Sequence, residues 1–560
     1  MVSQPIKLAL VALCGIAAAV PAPAPAVVDI DERQLLVQPY VPIPTTCPST
    51  ALVRPATSIS LNEAGYVSAR KKKADKALAA WLKKQGNFSN SSQPTVGFTS
   101  SGGGYRALLC TAGVVQALDG RDSNFTTSGL YQALTYEAGL SGGSWFLSSL
   151  AGNNWPTVSY LRDNLWEQAF QNSLLVPANL LSISGLTEYA AVTTELAAKE
   201  AAGYPATIVD PYGRLLSYQL LQGADGGVAT RLSGLTKLSN FTSHNVPYPI
   251  ITTTGVNGTG AQCVPPFSAL IYEFHPYEYG SWDTGIAAFS QTAYMGTKLT
   301  NGEPTISGAC TAHYDNLGYI FGTSSDVFYD VCAVIEPSNS SSSGLQNVLE
   351  GIVNDVHEPD FQDLFGVYVN PFYKYPGSPM VKDEEVLTMV DGGATDQNNP
   401  IWPFIQPAGR SVDVLIVNDN SADNTDNFPN GTEIIQTYQN AEAAGLTLMP
   451  TIPPVDTFVS QGLNKRATFF GCNETDTVFI VYLPNVNYTY DSNKPTSKVQ
   501  YAVAETDAMI LNGNAIATQN GTAGWPFCLG CAIKHKDGSG LPEGCDACFE
   551  EYCYFQSDTT

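Results

Sequence analysis

Basic residues, and charged residues in general, are scarce in this chain. Only 27 of its 560 residues are Lys or Arg, against 51 Asp and Glu, and all charged residues together make up 14%. Nucleic acids and anionic membranes are held by basic surfaces, so the formal net charge of −24 excludes nucleic-acid binding and electrostatic adhesion to a membrane. Contact with lipid would have to be apolar and confined to the surroundings of a site.

Long apolar runs are also missing, apart from one near the amino terminus. Lys7 precedes an apolar run over 8–20, and small residues and prolines follow, which is the pattern of a signal peptide and too short for a membrane span. We predict a signal peptide over approximately 1–26 and no transmembrane segment. Because the carboxyl end has no apolar tail, we predict no GPI-anchor signal. The protein is expected to be secreted and extracellular.

Sequons and cysteines agree with an extracellular location. Of the twelve cysteines, Cys14 falls in the predicted signal peptide, and we predict Cys110, in an apolar helix, as a free thiol and the others as disulfides. The Cys-x-x-Cys pairs at 528–531 and 545–548 could also hold zinc, but the secretory context favours disulfides and no metal. Ten Asn-x-Ser/Thr sequons are candidate glycosylation sites: Asn87, Asn90, Asn124, Asn240, Asn257, Asn339, Asn430, Asn473, Asn487 and Asn520.

The order strand, glycine turn, helix recurs along the chain. It predicts an α/β fold with a mostly parallel central sheet flanked by helices. We expect a single domain over 45–555, with a large inserted cap around 155–380 and a cysteine-rich segment at 525–555. The one basic cluster, residues 70–73, is interpreted as a solvated helix end, with a lipid-surface contact as the alternative. Predicted strands cover 95–99, 134–140, 385–390 and 412–417, and predicted helices cover 61–85, 105–118 and a segment from near Ser144.

The most informative motif ends the second predicted strand and reads Gly139-Leu140-Ser141-Gly142-Gly143. Glycine on both sides of the serine permits the strained strand-to-helix turn that exposes a serine hydroxyl. The helix N-terminus behind that turn favours negative charge. For this motif alone, a plain glycine turn is the alternative.

A run of three glycines follows the first predicted strand, in the sequence Ser101-Gly-Gly-Gly-Tyr-Arg106. Such glycines expose N–H groups that can hold a carbonyl oxygen as it becomes an oxyanion. A phosphate-binding loop is the alternative, but the Lys-Ser/Thr ending of a P-loop is missing. Arg106 could bind a phosphodiester through two N–H groups, with an ordinary surface salt bridge as its alternative.

An aspartate and a shortage of histidines indicate the base. Asp391, followed by two glycines, ends the third predicted strand and can reach a serine on a neighbouring strand, although a turn-forming Asp-Gly is the alternative. In an α/β-hydrolase triad the histidine comes after the acid. Only His535 follows Asp391, and it lies in the cysteine-rich segment. A dyad of Ser141 and Asp391 is therefore favoured over a triad.

Taken together, these motifs resemble the fungal secreted phospholipase B (lysophospholipase) family, and more distantly cytosolic phospholipases and patatin. The resemblance runs from about residue 45 to the cysteine-rich end and implies a patatin-like or cytosolic-phospholipase-like catalytic domain. It implies lysophospholipid and phospholipid substrates at a micelle or membrane surface, and no cofactor. The shared motifs are Ser101-Gly-Gly-Gly-Tyr-Arg106, Gly139-Leu-Ser-Gly-Gly-Ser-Trp145, Pro276-Tyr-Glu-Tyr-Gly-Ser-Trp-Asp283, Asp391-Gly-Gly393 and Gln397-Asn398-x-Pro400.

The resemblance also implies the roles of site residues. Ser141 would be the nucleophile, Asp391 the base, Gly103 and Gly104 the oxyanion donors, and Arg106 the contact for substrate phosphate. Fatty acid would be released through an acyl-serine intermediate. A carboxylate base stays ionised where a histidine of pKa near ~6.5 is protonated, so we expect good activity at mildly acidic pH.

Two other functions are alternatives at this stage. One is a triad lipase or esterase for neutral esters, which Arg106 would distinguish because its loss should harm phosphate-bearing substrates most. The other is a non-catalytic secreted or wall-associated glycoprotein on the same fold. A broken Ser or Asp motif would favour that second alternative, and both motifs are intact.

Overall fold

A twelve-stranded sheet forms the centre of the protein in a computed structural model that describes residues 39–89, 92–173, 183–256, 264–328, 364–422, 424–537 and 540–555. Within these ranges the strands are β1 (Ile43–Thr46), β2 (Val53–Pro55), β3 (Val96–Ser100), β4 (Leu134–Gly139), β5 (Tyr248–Val256), β6 (Ile271–Phe274), β7 (Glu278–Ser281), β8 (Ala288–Gln291), β9 (Leu299–Thr300), β10 (Glu303–Pro304), β11 (Ala309–Ala312), β12 (Gly366–Val369), β13 (Val386–Val390), β14 (Val414–Asp419), β15 (Thr468–Phe470) and β16 (Phe479–Pro484). Two separate pairs, β1 with β11 and β9 with β10, lie outside the large sheet.

Helices cover the sheet and include every helix that the sequence predicts. In the described residues they are α1 (Leu61–Gln85), α2 (Gly104–Leu118), α3 (Gly142–Gly152), α4 (Val158–Leu161), α5 (Glu167–Ala169), α6 (Ile183–Ala201), α7 (Val209–Leu220), α8 (Ser239–Thr242), α9 (Leu317–Ser324), α10 (Thr432–Ala443), α11 (Val455–Ser460), α12 (Val503–Ala517), α13 (Trp525–Lys534) and α14 (Cys545–Tyr552), with a π-turn, Arg162–Trp166, between α4 and α5. None of these helices has the length and apolar character needed to cross a bilayer.

The middle of the sheet is parallel, in the order β16-β14-β3-β4-β5. Strands β14 and β16 are buried along their whole length, as strands of a parallel sheet covered on both faces must be. The predicted α/β fold with a parallel central sheet is confirmed, and antiparallel strands extend it on both sides. The range 155–380, predicted as a cap, also supplies β5 to β8 and β12 to the sheet.

Helix α2 is buried on all sides and packs against α12. A Cβ on Gly113 would lie 2.0 Å from the Ile510 carbonyl oxygen, so the two helices touch through their backbones. Cys110 on this helix is buried and unpaired, as predicted, and burial raises the pKa of its thiol to about 12. This thiol is therefore protonated and unreactive at physiological pH.

The cysteines that could have formed a zinc site form disulfides instead. The two Cys-x-x-Cys pairs link α13 to α14 through Cys528–Cys548 and Cys531–Cys545, and Cys47–Cys310 and Cys472–Cys553 are also bonded. Among the described residues no group of three or more His, Cys, Asp or Glu side chains could hold a metal ion. Cys263, Cys332 and the predicted signal peptide lie outside those residues.

The solvated helix end predicted for residues 70–73 is wrong for Arg70, which is 2% exposed. Its guanidinium donates to the carbonyls of Leu134, Gln132 and Asn245. Helix α1 crosses the amino end of β4, where backbone carbonyls need donors, and Arg70 supplies them. This contact spans more than 60 positions of sequence, so the charge run alone could not indicate it.

Candidate active site

Ser141 lies in a sharp turn between β4 and α3, with φ 50° and ψ −123°. Few residues other than glycine adopt such a backbone conformation, so the turn is strained. The flanking glycines are required because a side chain at either position would clash with neighbouring backbone atoms. A Cβ on Gly139 would be 2.5 Å from the Gly143 carbonyl oxygen, and a Cβ on Gly142 would be 2.2 Å from that of Gly104. The turn that the motif predicts is present.

Two helix N-termini converge beside Ser141. Helix α2 begins at Gly104 with Gly103 as its N-cap, and both glycines have positive φ, 58° and 132°. The first N–H groups of a helix have no acceptor within the helix. Because the backbones of Gly104 and Gly142 touch, the free N–H groups of α2 and α3 lie together. This arrangement can stabilise a developing negative charge.

Ser141 and Asp391 follow two strands that point at each other along the same side of β5. Strand β4 runs parallel to β5 and ends opposite Ile251, whereas β13 runs antiparallel to it and ends opposite Thr254. The chain therefore leaves both strands at the same short gap in the sheet, beside the part of β5 between Ile251 and Thr254. The serine and the aspartate enter this gap from opposite directions.

The last residue of α9 and the segment just after it bind the backbone at both residues. The N–H of Ser141 donates to the carbonyl of Ser324 at 3.1 Å and to its Oγ at 3.0 Å. The N–H of Asp391 donates to the carbonyl of Asp326 at 3.2 Å. Ser324 Oγ in turn donates to the carbonyl of Thr252, in the gap, at 2.8 Å. The structure thus brings the predicted nucleophile and base to one place.

The Asp391 side chain is buried, with 5% exposure. Its Oδ1 accepts the N–H of Gly393 at 2.8 Å. Burial, together with the negative charges of Asp391 and Asp326, raises the pKa of the neighbouring Tyr212. The tyrosine therefore stays neutral beside the carboxylate.

Arg106 is almost completely buried, with 1% exposure, so it is not a surface salt bridge. Its Nε donates to the carbonyl of Asn420 at 2.9 Å and its Nη1 to that of Lys494 at 2.5 Å. Its Nη2 lies 2.4 Å from the position that a Cβ on Gly103 would occupy. The guanidinium therefore fastens the loops after β14 and β16 to α2, with one nitrogen against the glycine loop.

Two of the histidines that the structure describes make their side-chain contacts away from Ser141. His535 Nε2 lies 2.7 Å from the carbonyl of Cys472, in the disulfide-linked end. His275 follows β6 and pairs through Nδ1 with the hydroxyl of Tyr248 at 2.7 Å. Within the described residues no histidine is hydrogen-bonded to Ser141, and His357 lies outside them.

Sequence reasoning missed three residues that shape this site. Ser324 and Asp326 hold the backbone of the two motifs, and Tyr212 lies beside the carboxylate. No motif surrounds these residues, and only the order of the strands brings them close. Asn398 could have been identified from the sequence, because it belongs to the motif Gln397-Asn398-x-Pro400, but the motif alone assigns it no role.

Comparisons with known proteins identify the family of this chain. A family described as lysophospholipase catalytic domain matches residues 96–559. Lysophospholipase 2 of Aspergillus fumigatus is 35% identical over 92% of this chain and 93% of its own length, and lysophospholipase 3 of Candida albicans is 34% identical over 92% and 74%. Human GIVD cytosolic phospholipase A2 has the same fold, with a TM-score of 0.65 at 18% identity over 88% of this chain and 72% of that one. The chain belongs to the lysophospholipase catalytic-domain family.

Proposed function

We propose that this chain is a secreted serine hydrolase that releases fatty acids from lysophospholipids and phospholipids, with Ser141 as nucleophile and Asp391 as base. Membership of the family makes it a lysophospholipase or phospholipase that hydrolyses lipid esters. The observation that carries the proposed dyad is the attachment of both residues to the segment 324–326.

The proposed reaction uses these groups in two steps. Ser141 Oγ attacks the ester carbonyl while Asp391 accepts its proton, and the N–H groups of Gly103 and Gly104 hold the oxyanion. The lysolipid or glycerophosphodiester leaves with a proton from the Asp391 carboxyl. Water then cleaves the acyl-serine with the same carboxylate as base. Because this base is a carboxylate, activity should persist in mild acid.

The decisive experiment compares purified wild-type protein with Ser141→Ala. Fatty-acid release is measured from lysophosphatidylcholine and from its diacyl parent. We expect the variant to release no fatty acid above background and to keep the wild-type circular dichroism spectrum. Release at a rate near that of the wild type would contradict the proposal.

Arg106 is proposed to contact the substrate phosphate through the nitrogen that faces the glycine loop. Arg106→Lys keeps the charge and loses the two-pronged geometry. We expect kcat/KM to fall at least about tenfold more for lysophosphatidylcholine than for a p-nitrophenyl ester, given a charged hydrogen bond of about 1.5–3 kcal/mol. Equal losses on both substrates would show that Arg106 only fastens loops.

Secretion and glycosylation are part of the proposal and are supported by exposure of the sequons. Five of the seven sequon asparagines in the described ranges are exposed, and Asn240 and Asn430 are half-buried. The Asn240 amide nitrogen donates to the Asn154 carbonyl, so we expect Asn240 to be used least. Deglycosylation followed by peptide mass spectrometry of protein from a secretory host tests this. The exposed residues are Asn87, Asn124, Asn473, Asn487 and Asn520, and Asn90, Asn257 and Asn339 lie outside the described residues.

A further inference from the structure

We propose that Asn398 is a positioning residue, which sets the separation between the glycine loop over 102–104 and the turn that carries Asp391. This inference rests on the proposed function, because it assigns Asn398 to the same site. It deepens that function by naming the group that joins the oxyanion donors to the base.

The backbone of Asn398 is fixed on both sides. Its N–H donates to Glu433 Oε2, at the start of α10, at 2.9 Å. Its carbonyl accepts the N–H of Gly102, also at 2.9 Å. The glycine loop is therefore hydrogen-bonded directly to the segment after the Asp391 turn, and the carboxylate of Glu433 holds that segment in turn.

The side chain of Asn398 is also held, with 8% exposure and its Nδ2 donating to Ser421 Oγ at 3.1 Å. This bond directs the amide oxygen away from Ser421. The oxygen lies 2.2 Å from the position that a Cβ on Gly102 would take and 3.1 Å from the corresponding position on Gly393. The amide oxygen thus fills the space between two residues that have no side chain.

Both of those glycines touch the proposed dyad. The same Cβ position on Gly102 is 2.8 Å from Ser141 Cβ, and that on Gly393 is 3.3 Å from Asp391 Oδ1. The Asn398 oxygen therefore has the nucleophile's turn on one side and the base on the other. A side chain at this point fixes how far apart the two halves of the site lie.

The neutral charge of Asn398 matters as much as its shape. An amide fills this position without placing a second negative charge near Asp391 and the oxyanion. A carboxylate of the same shape would favour the protonated form of Asp391, because like charges disfavour ionisation. The base has to be ionised to work, so the acid limb of the pH profile would move to higher pH.

The test uses Asn398→Ala, the isosteric Asn398→Asp, and Asn399→Ala as a matched control. Asn399 is 3% exposed, and its Nδ2 donates away from the dyad, to the carbonyl of Asn418 at 2.9 Å. Steady-state kinetics on lysophosphatidylcholine and on p-nitrophenyl butyrate are measured for each protein, together with Tm.

We expect Asn398→Ala to lower kcat about 10- to 100-fold with KM within about threefold, since misplacement of a site by ~1 Å costs up to about 10²-fold. Asn399→Ala should lower Tm and leave kcat within about twofold. Asn398→Asp should shift the acid limb of kcat/KM upward by about one pH unit.

Two results would overturn the inference: equal losses of kcat in the two alanine variants, or an acid limb that Asn398→Asp leaves unmoved. The short ester separates this inference from the proposed function. A wild-type protein that cleaves p-nitrophenyl butyrate but not lysophosphatidylcholine would end the proposed substrate assignment. The comparison of Asn398 variants would then be decided on the short ester.

Discussion

At the scale of single residues, the site depends on backbone conformations that only certain residues tolerate. Ser141 has a φ of 50°, which costs about 1–3 kcal/mol for a residue with a Cβ. The hydrogen bonds from its N–H to Ser324 hold it there. The proposed nucleophile is thus kept in place at a cost to stability.

This strain leads to a prediction about two substitutions of Ser141. Ser141→Gly removes the Cβ that causes the strain, whereas Ser141→Ala keeps it. After allowance for the greater flexibility of glycine in the unfolded chain, we expect the glycine variant to be more stable by about 1 kcal/mol. Urea unfolding of the two variants checks this, and an alanine variant of equal or greater stability would contradict it.

At the scale of secondary-structure elements, three helices and four strands could be predicted from local pattern, and the meeting of two of those strands could not. Strands β3, β4, β13 and β14 end at glycine or aspartate motifs and were predicted to within two residues. The antiparallel strands β6 to β8 have four residues each, too few for a clear periodicity.

The meeting of β4 and β13 along β5 explains why the site was only partly predictable. Ser141 and Asp391 stand out because glycines surround them, but their proximity follows from a register between strands more than 100 residues apart. The segment 324–326 joins them with no sequence signal of its own. Local pattern indicates the proposed reacting groups, and long-range pairing determines what holds them.

The contact between α2 and α3 can be tested with two glycine substitutions. Gly142→Ala places a Cβ 2.2 Å from the carbonyl oxygen of Gly104, so the two helix N-termini have to separate. We expect a loss of about 1–3 kcal/mol in stability and a large loss of kcat. Gly65→Ala is the control, because that glycine lies in α1 with nothing within 4 Å, and it should gain up to about 1 kcal/mol. Stability is measured by thermal unfolding. A similar change in stability in both variants would contradict the close contact between α2 and α3.

At the scale of the whole molecule, an acidic composition and buried carboxyl groups make the folded state more stable in mild acid than at higher pH. The net charge is −24, and lowering the pH reduces the repulsion among acidic groups. Burial raises the pKa of Glu137 on β4 to about 7, although Tyr131 donates a hydrogen bond to it at 2.8 Å. Burial likewise raises the pKa of Glu195 to about 7 and that of Asp283 to about 6.

The direction of the pH effect follows from Glu137. Its pKa in the folded state is above the ordinary value of 4.5, so its stabilising contribution is complete below pH 4.5 and is lost as pH rises through about 7. We expect the wild-type Tm to fall between pH 5.5 and pH 8. Glu137→Gln should reduce the accompanying change in the free energy of unfolding by about 2 kcal/mol. If the variant shows the same fall in Tm as the wild type, Glu137 is not its source.

Covalent labelling can show whether Asp391 activates the Ser141 hydroxyl without a histidine, as we propose. Wild-type protein and Asp391→Asn are incubated with a fluorophosphonate between pH 5 and pH 8, and the labelled peptide is mapped by mass spectrometry. We expect Ser141 alone to be labelled, labelling to persist at pH 5, and the Asp391 variant to react at least about 10²-fold more slowly. Labelling of another residue, a rate in the variant equal to that of the wild type, or a rate that collapses below pH 6 would contradict this proposal.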